Sequence, residues 1–401
     1  MIHAFSVSNY GSVRDTATLD LRIRGTAPDL ACFRHSSVKP DLQLPAVAVL
    51  MGPNGCGKTT LLRALVDVAR YVSLFNETIW LVPFLSDETR WEPTRFSLEG
   101  EWDWLSPGNG SQRFRYELMV GRTPSETGVE HMSVIREALL HFPRGRKRRL
   151  YERRGQDAPV YVSRDFGVRP SDDRLRGLGP TTSVIATMAM FNVPLARRIA
   201  DWMRGWLGNT TNVVGNDTRS LDTETAIGWI EADPDSRRWA ETQLGRIDAG
   251  IRGLEVARDG EGTRFVRFEH HGLDAPVVLG LESRGTRRLF HLLPMVKHAL
   301  DVSGLAVLDE IDGDLHVDLV AELLRLFRSR ESNSRGAQLL VTSHHVGLLD
   351  ELEKEEVFIV EKDGGGATQV YGAQDVRGLR RDVRLYPKYR AGVLGGIPRI
   401  G

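Results

Sequence analysis

Cysteine is nearly absent from this chain. Cys32 and Cys56 are the only two in 401 residues, and no Cys-x-x-Cys pair occurs. That excludes a disulfide framework and a zinc hook, and it fits a reducing compartment. Net charge is absent as well, because 53 Lys and Arg balance 53 Asp and Glu. No global field steers the chain toward nucleic acid, so any basic contact surface has to be local. No run of about 18 apolar residues is present to span a membrane. The first residues, Met1 to Ser6, have neither the basic flank nor the apolar core of a signal peptide. Sustained heptads, internal repeats and low-complexity tails are also lacking, which argues against a long coiled-coil arm. A cytoplasmic protein is expected. Its hydrophobic share of 41% and charged share of 26% are those of a globular chain.

Residues 2–23 read as two short strands around a turn at Asn9 to Ser12. Residues 45–51 are a short apolar run of the kind that forms a buried strand, and 59–74 have helical spacing. From about 96 to 165 the pattern alternates like strands, with a hairpin joining Val134–Phe142 to Arg149–Arg153. Residues 183–207 and 222–252 read as helical, with a polar link between them. Strands resume over 253–282, and the last third alternates helix and strand. The expected fold class is α/β. Residues 1–95 and 256–401 would be the two halves of one core, 96–175 a β-rich subdomain and 176–255 a short helical insertion.

Four stations along the chain carry chemistry. Gly52 to Thr59 fits Gly-x4-Gly-Lys-Thr in full and sits between an apolar strand and a helix. Asn54, Gly55, Cys56, Gly57, Lys58, Thr59 and Thr60 would wrap the phosphates of ATP with backbone amides and a helix N-terminus. Lys58 would reach the β- and γ-phosphates, and Thr59 would hold Mg²⁺. Leu305 to Leu308 is an apolar strand ending in Asp309 and Glu310. Asp309 is expected to bind Mg²⁺ and Glu310 to polarise the attacking water. The third station, Glu282 to Thr286, opens a helix, and Ser283 with the amides of Gly285 and Thr286 forms an anion site at its N-terminus. Pro294 is expected to kink that helix. The fourth is the strand Leu339 to Ser343, which runs into His344. His344 or its neighbour His345 would sense the γ-phosphate, with register favouring His344.

Two other stretches have plainer readings. Asp312-Gly313-Asp314 resembles a metal-binding acidic pair, but its place after Glu310 makes it a loop. The basic run Arg144, Arg146, Lys147, Arg148, Arg149, Arg153 and Arg154 is either a solvated hairpin or a local contact for nucleic acid or an acidic partner.

The order phosphate loop, Ser-x-Gly-Thr, Asp-Glu and histidine resembles ABC-type P-loop ATPase heads. More specifically, the chain resembles the OLD-like AAA family ATPases, including RloA-type and PARIS-type (AriA-like) defence ATPases. Phe5 to Asp15, Glu92 to Phe96, Leu150 to Arg154 and Tyr389 to Pro398 carry that resemblance beside the catalytic pattern. It implies an ATP phosphohydrolase that forms a homodimer or higher homo-oligomer. The signature residues Ser283, Gly285 and Thr286 would act on the nucleotide of a second subunit, and Asp312 to Asp314 would be a loop at the dimer interface. The resemblance also implies control of a separate effector in antiviral defence, such as a TOPRIM or HNH nuclease. Only residues 345–401 follow His344, so any nuclease is expected on another polypeptide. The alternative is a DNA-repair ATPase of the RecF or SMC kind that acts directly on DNA. A transporter ATPase would carry Leu-Ser-Gly-Gly-Gln, which is absent.

Overall fold

Apolar runs that are buried on both faces become the centre of the molecule. The computed structural model describes residues 1–25, 27–75, 82–103, 110–124, 130–155, 160–209 and 223–397. Its central sheet has six strands, in the order Leu207–Gly208, Leu305–Leu308, Gln338–Ser343, Val47–Met51, Val357–Lys362 and Thr368–Gly372. All neighbours pair in parallel except the last two, which are antiparallel. Such strands need apolar residues on both sides. Ala48 and Leu50 face one hydrophobic core, whereas Val47, Val49 and Met51 face another.

The first core is closed by a seven-stranded antiparallel sheet. Its order is Tyr161–Val162, Arg148–Arg154, Glu130–His141, Gln112–Pro124, Thr94–Trp102, Ile2–Ser8 and Ala17–Asp20. Alternation sets its inner face: Phe114, Tyr116, Leu118 and Val120 are all buried. The β-rich segment therefore shares one sheet with the two N-terminal strands. Between the sheets lies the helix Lys58–Ser73, with Leu61, Leu62, Leu65, Val66 and Val68 buried along it.

The helical stretch divides between the two cores. Val184–Met190 and Pro194–Arg204 pack in the first core, where Trp202 stacks on Trp102 at 4.9 Å. Glu137 ties this pair to the sheet. Its carboxylate accepts from the Val184 amide at 3.0 Å and the Tyr151 hydroxyl at 2.9 Å, while burial pushes its pKa up. Thr223–Ala232 and Pro234–Ile247 instead pack in the second core, with the three-stranded sheet Ile251–Arg258, Arg264–His270 and Val277–Val278. The strand from Ile251 corrects the helical reading to 252, because Asp248 ends the helix in an extended conformation. The polar link between the helical stretches falls largely on 210–222, outside the described residues, as does Pro398. The helix Arg284–Val302 is continuous through Pro294.

Candidate functional site

The strand Val47–Met51 delivers the chain into the phosphate loop at a place only glycine can occupy. A Cβ on Gly52 would lie 2.0 Å from the Val360 carbonyl oxygen. Gly57 has φ 107°, and a Cβ there would lie 2.1 Å from Thr368 Oγ1. Both glycines are thus fixed by close approach as well as by conformation. The Lys58 ammonium folds back and donates to Gly52 O at 2.9 Å and Pro53 O at 3.0 Å. Burial lowers its pKa, and the field of Asp309, Glu310 and Asp312 opposes that fall.

Register brings the other stations alongside. Leu308 pairs with Val341, and Ser343 with Met51, so the strand ends that precede Asp309, His344 and Gly52 form one edge. Ligands of parallel α/β sheets bind at this carboxyl end. Thr342 organises the acidic pair. Its Oγ1 accepts from the Glu310 amide at 2.7 Å and donates to Asp309 Oδ1 at 2.6 Å. Asn209 clasps the Asp309 backbone from the other side, donating to its carbonyl at 2.9 Å. Glu310 has φ 48°, in the left-handed region that non-glycine residues rarely occupy. Asp312 accepts from the Ser343 hydroxyl at 3.0 Å and the His344 amide at 2.8 Å.

These residues enclose a cavity of about 720 Å³. Of the residues expected from sequence, Asn54, Gly55, Gly57, Lys58, Thr59, Thr60, Asp309, Glu310 and His344 line it. His345 turns elsewhere, with its ring beside Gly347. Ser12, Asp312, Gly313 and Thr342 also line the cavity. The Cys56 side chain is buried and abuts Gly52 instead.

Ser283, Gly285 and Thr286 are not in that lining. Ser283 caps the helix Arg284–Val302, its Oγ accepting from the Thr286 amide at 3.0 Å. Glu282 is anchored to His270 at 2.8 Å. A Cβ on Gly285 would lie 3.1 Å from the Asp314 carbonyl oxygen, so the signature turn rests on the loop after Glu310.

No cluster of three metal-ligating side chains occurs among the described residues. Among the hydroxyls and carboxylates lining the cavity, the Thr59 hydroxyl and the Asp309 carboxylate are the expected cation ligands, and such oxygen donors suit a hard cation that keeps most of its water.

The basic run separates into two parts. Arg149 and Arg154 pair with Glu152, and Arg153 is buried, donating to the carbonyls of Thr182 and Gly179 at 2.8 and 2.7 Å. Arg144, Arg146, Lys147 and Arg148 are exposed at the hairpin tip and have no acidic partner among the described residues.

A family model described as "AAA domain, putative AbiEii toxin, Type IV TA system" matches residues 47–350, from the strand before the phosphate loop to beyond His344. The chain belongs to this AAA family. No curated protein sequence matches it. Among solved structures, it is similar to an Smc head bound to the C-terminal winged-helix domain of ScpA. The TM-score is 0.47 at 14% identity, over 92% of this chain and 96% of that one. It is also similar to an Smc head domain with an extended coiled coil, bound to the C-terminal domain of ScpA derived from Pyrococcus furiosus. There the TM-score is 0.45 at 12% identity, over 97% and 98%. No helix of the described residues is long and apolar enough to cross a membrane.

Proposed function

We propose that this chain is an ATP-hydrolysing subunit that dimerises around Mg²⁺-ATP and controls a separate effector, a nuclease in an antiviral defence system. The observation that carries the ATPase reading is the convergence of Lys58, Thr59, Asp309, Glu310 and His344 on one cavity. Lys58 would leave the loop carbonyls for the phosphates. Thr59 and Asp309 would hold Mg²⁺, which supplies positive charge against the phosphates when bound. Glu310 would orient and deprotonate water, and His344 would contact the terminal phosphate. The signature turn lies outside this cavity, which supports its acting on a second subunit's nucleotide. The effector and its nuclease chemistry rest on the family resemblance alone, and the cytoplasmic setting rests on composition. Release of phosphate from Mg²⁺-ATP by the purified chain tests the core of this reading. No release, together with no nucleotide binding, contradicts it.

The free cationic hairpin tip favours a second reading, in which the chain acts on DNA directly. Four phosphate contacts at the tip would give a slope of about −3.6 for log K against log salt. Binding that ignores salt, or persists after the four tip cations are replaced by Ala, removes that reading.

A further inference from the structure

A second cavity of about 750 Å³ adjoins the first and shares Asn54 and His344 with it. Gly52, Pro53, Tyr389 and Arg390 contribute further walls. Arg390 ends the helix Leu385–Arg390, is exposed, and has no acidic partner among the described residues. Its place is nonetheless fixed by the segment that follows. The Tyr389 hydroxyl donates to the Gly396 carbonyl at 2.6 Å, and the Gly396 amide donates to Glu361 at 2.9 Å. The Tyr371 hydroxyl lies 3.0 Å from the Leu394 carbonyl. Gly395 and Gly396 have φ of 76° and 66°, and a Cβ on Gly396 would lie 2.7 Å from Ile359 and 3.7 Å from the Gly52 Cα. Residues 385–397 are therefore seated against the base of the phosphate loop.

Charge gives this arrangement a purpose. The first cavity is lined by three carboxylates, Asp309, Glu310 and Asp312, against one obligate cation, Lys58. A nucleoside triphosphate adds more negative charge than one ammonium and one divalent cation neutralise. Asn54 and His344 form the shared wall, and His344 is the residue assigned to the terminal phosphate. A cation beyond that wall is placed to approach the terminal phosphate from the Asn54–His344 side. We propose that Arg390 binds the terminal phosphate of the nucleotide from the Asn54–His344 side, which makes the segment 385–397 part of the nucleotide site. The guanidinium suits this task because its fork of donors matches phosphate oxygens. The proposal rests on the ATP reading above and adds to it a residue that distinguishes ATP from ADP.

Calorimetric titration of Mg²⁺-ATP and Mg²⁺-ADP into the whole chain tests it, with wild type, Arg390→Ala, Arg390→Lys and Lys58→Ala compared. Arg390→Ala should weaken ATP about tenfold or more, as expected for one charged hydrogen bond, and leave ADP unchanged. Arg390→Lys should recover part of that loss. Lys58→Ala should weaken both nucleotides. Unchanged ATP affinity in Arg390→Ala, or an equal loss for ATP and ADP, overturns the proposal while leaving the ATP reading intact. A wild type that binds neither nucleotide overturns both.

Discussion

Thr342 has a single hydroxyl and two partners. It accepts from the Glu310 amide and donates to Asp309, so one buried oxygen sets both acidic residues. Thr342→Val keeps the shape and removes both bonds. Leaving the Glu310 amide unpaired should cost about 1–3 kcal/mol in denaturant unfolding, and ATP turnover should fall with it. Glu310→Gln should bind ATP as the wild type does while turnover drops about 10²–10⁴-fold. Equal turnover in steady-state assay would remove Glu310 from its assigned role. Lys58, Thr59, Asp309 and Glu310 were legible because each lies in a local pattern, a glycine turn or the end of an apolar run. Thr342 and Asn209 were not, because their bonds to Asp309 join residues 33 and 100 positions apart. No local pattern announces such a contact.

Elements divide in the same way. Three central strands, Val47–Met51, Leu305–Leu308 and Gln338–Ser343, were readable from apolar runs, and the helix after the phosphate loop from its spacing. The two helical stretches were legible, but not their division into four helices nor the strands at Leu207 and Ile251 where they end. The allocation of the helices to two different cores was not legible either, since it depends on which face of the central sheet each one meets. The signature helix shows that one residue type can serve two ends. Ser283→Ala should cost about 1 kcal/mol through loss of the cap, whereas Ser283→Asp should keep it. Thermal melting of the two variants separates these outcomes. Near the end of the strand Thr94–Trp102, inside the seven-stranded sheet, Glu101 is a pH-sensitive anchor. Burial alone would raise its pKa, but His3, Ser36 and the Ser37 amide overcome that and hold it at about 2, against a usual 4.5. A depressed carboxylate stabilises the fold above its unfolded value. That stability should be present above about pH 4.5 and be lost as pH falls toward 2. Denaturant unfolding across this window should show a flatter profile for Glu101→Gln.

At the scale of the whole molecule, the central sheet separates two cores and presents Lys58, Asp309, Glu310 and His344 along one edge. The signature turn belongs to the second core and caps a helix outside the nucleotide cavity. The proposed function has a second copy complete the site, and that is the central claim. Mixed subunits test it most directly. Lys58→Ala removes the phosphate-loop contact, and Ser283→Asp keeps the helix cap while opposing the phosphate with a negative charge. Each variant alone should be inactive. Mixed in equal amounts, they should regain ATP hydrolysis, because one of the two sites in a mixed dimer then pairs an intact phosphate loop with an intact signature. No activity in the mixture, from variants that both fold and dimerise, would contradict the shared site.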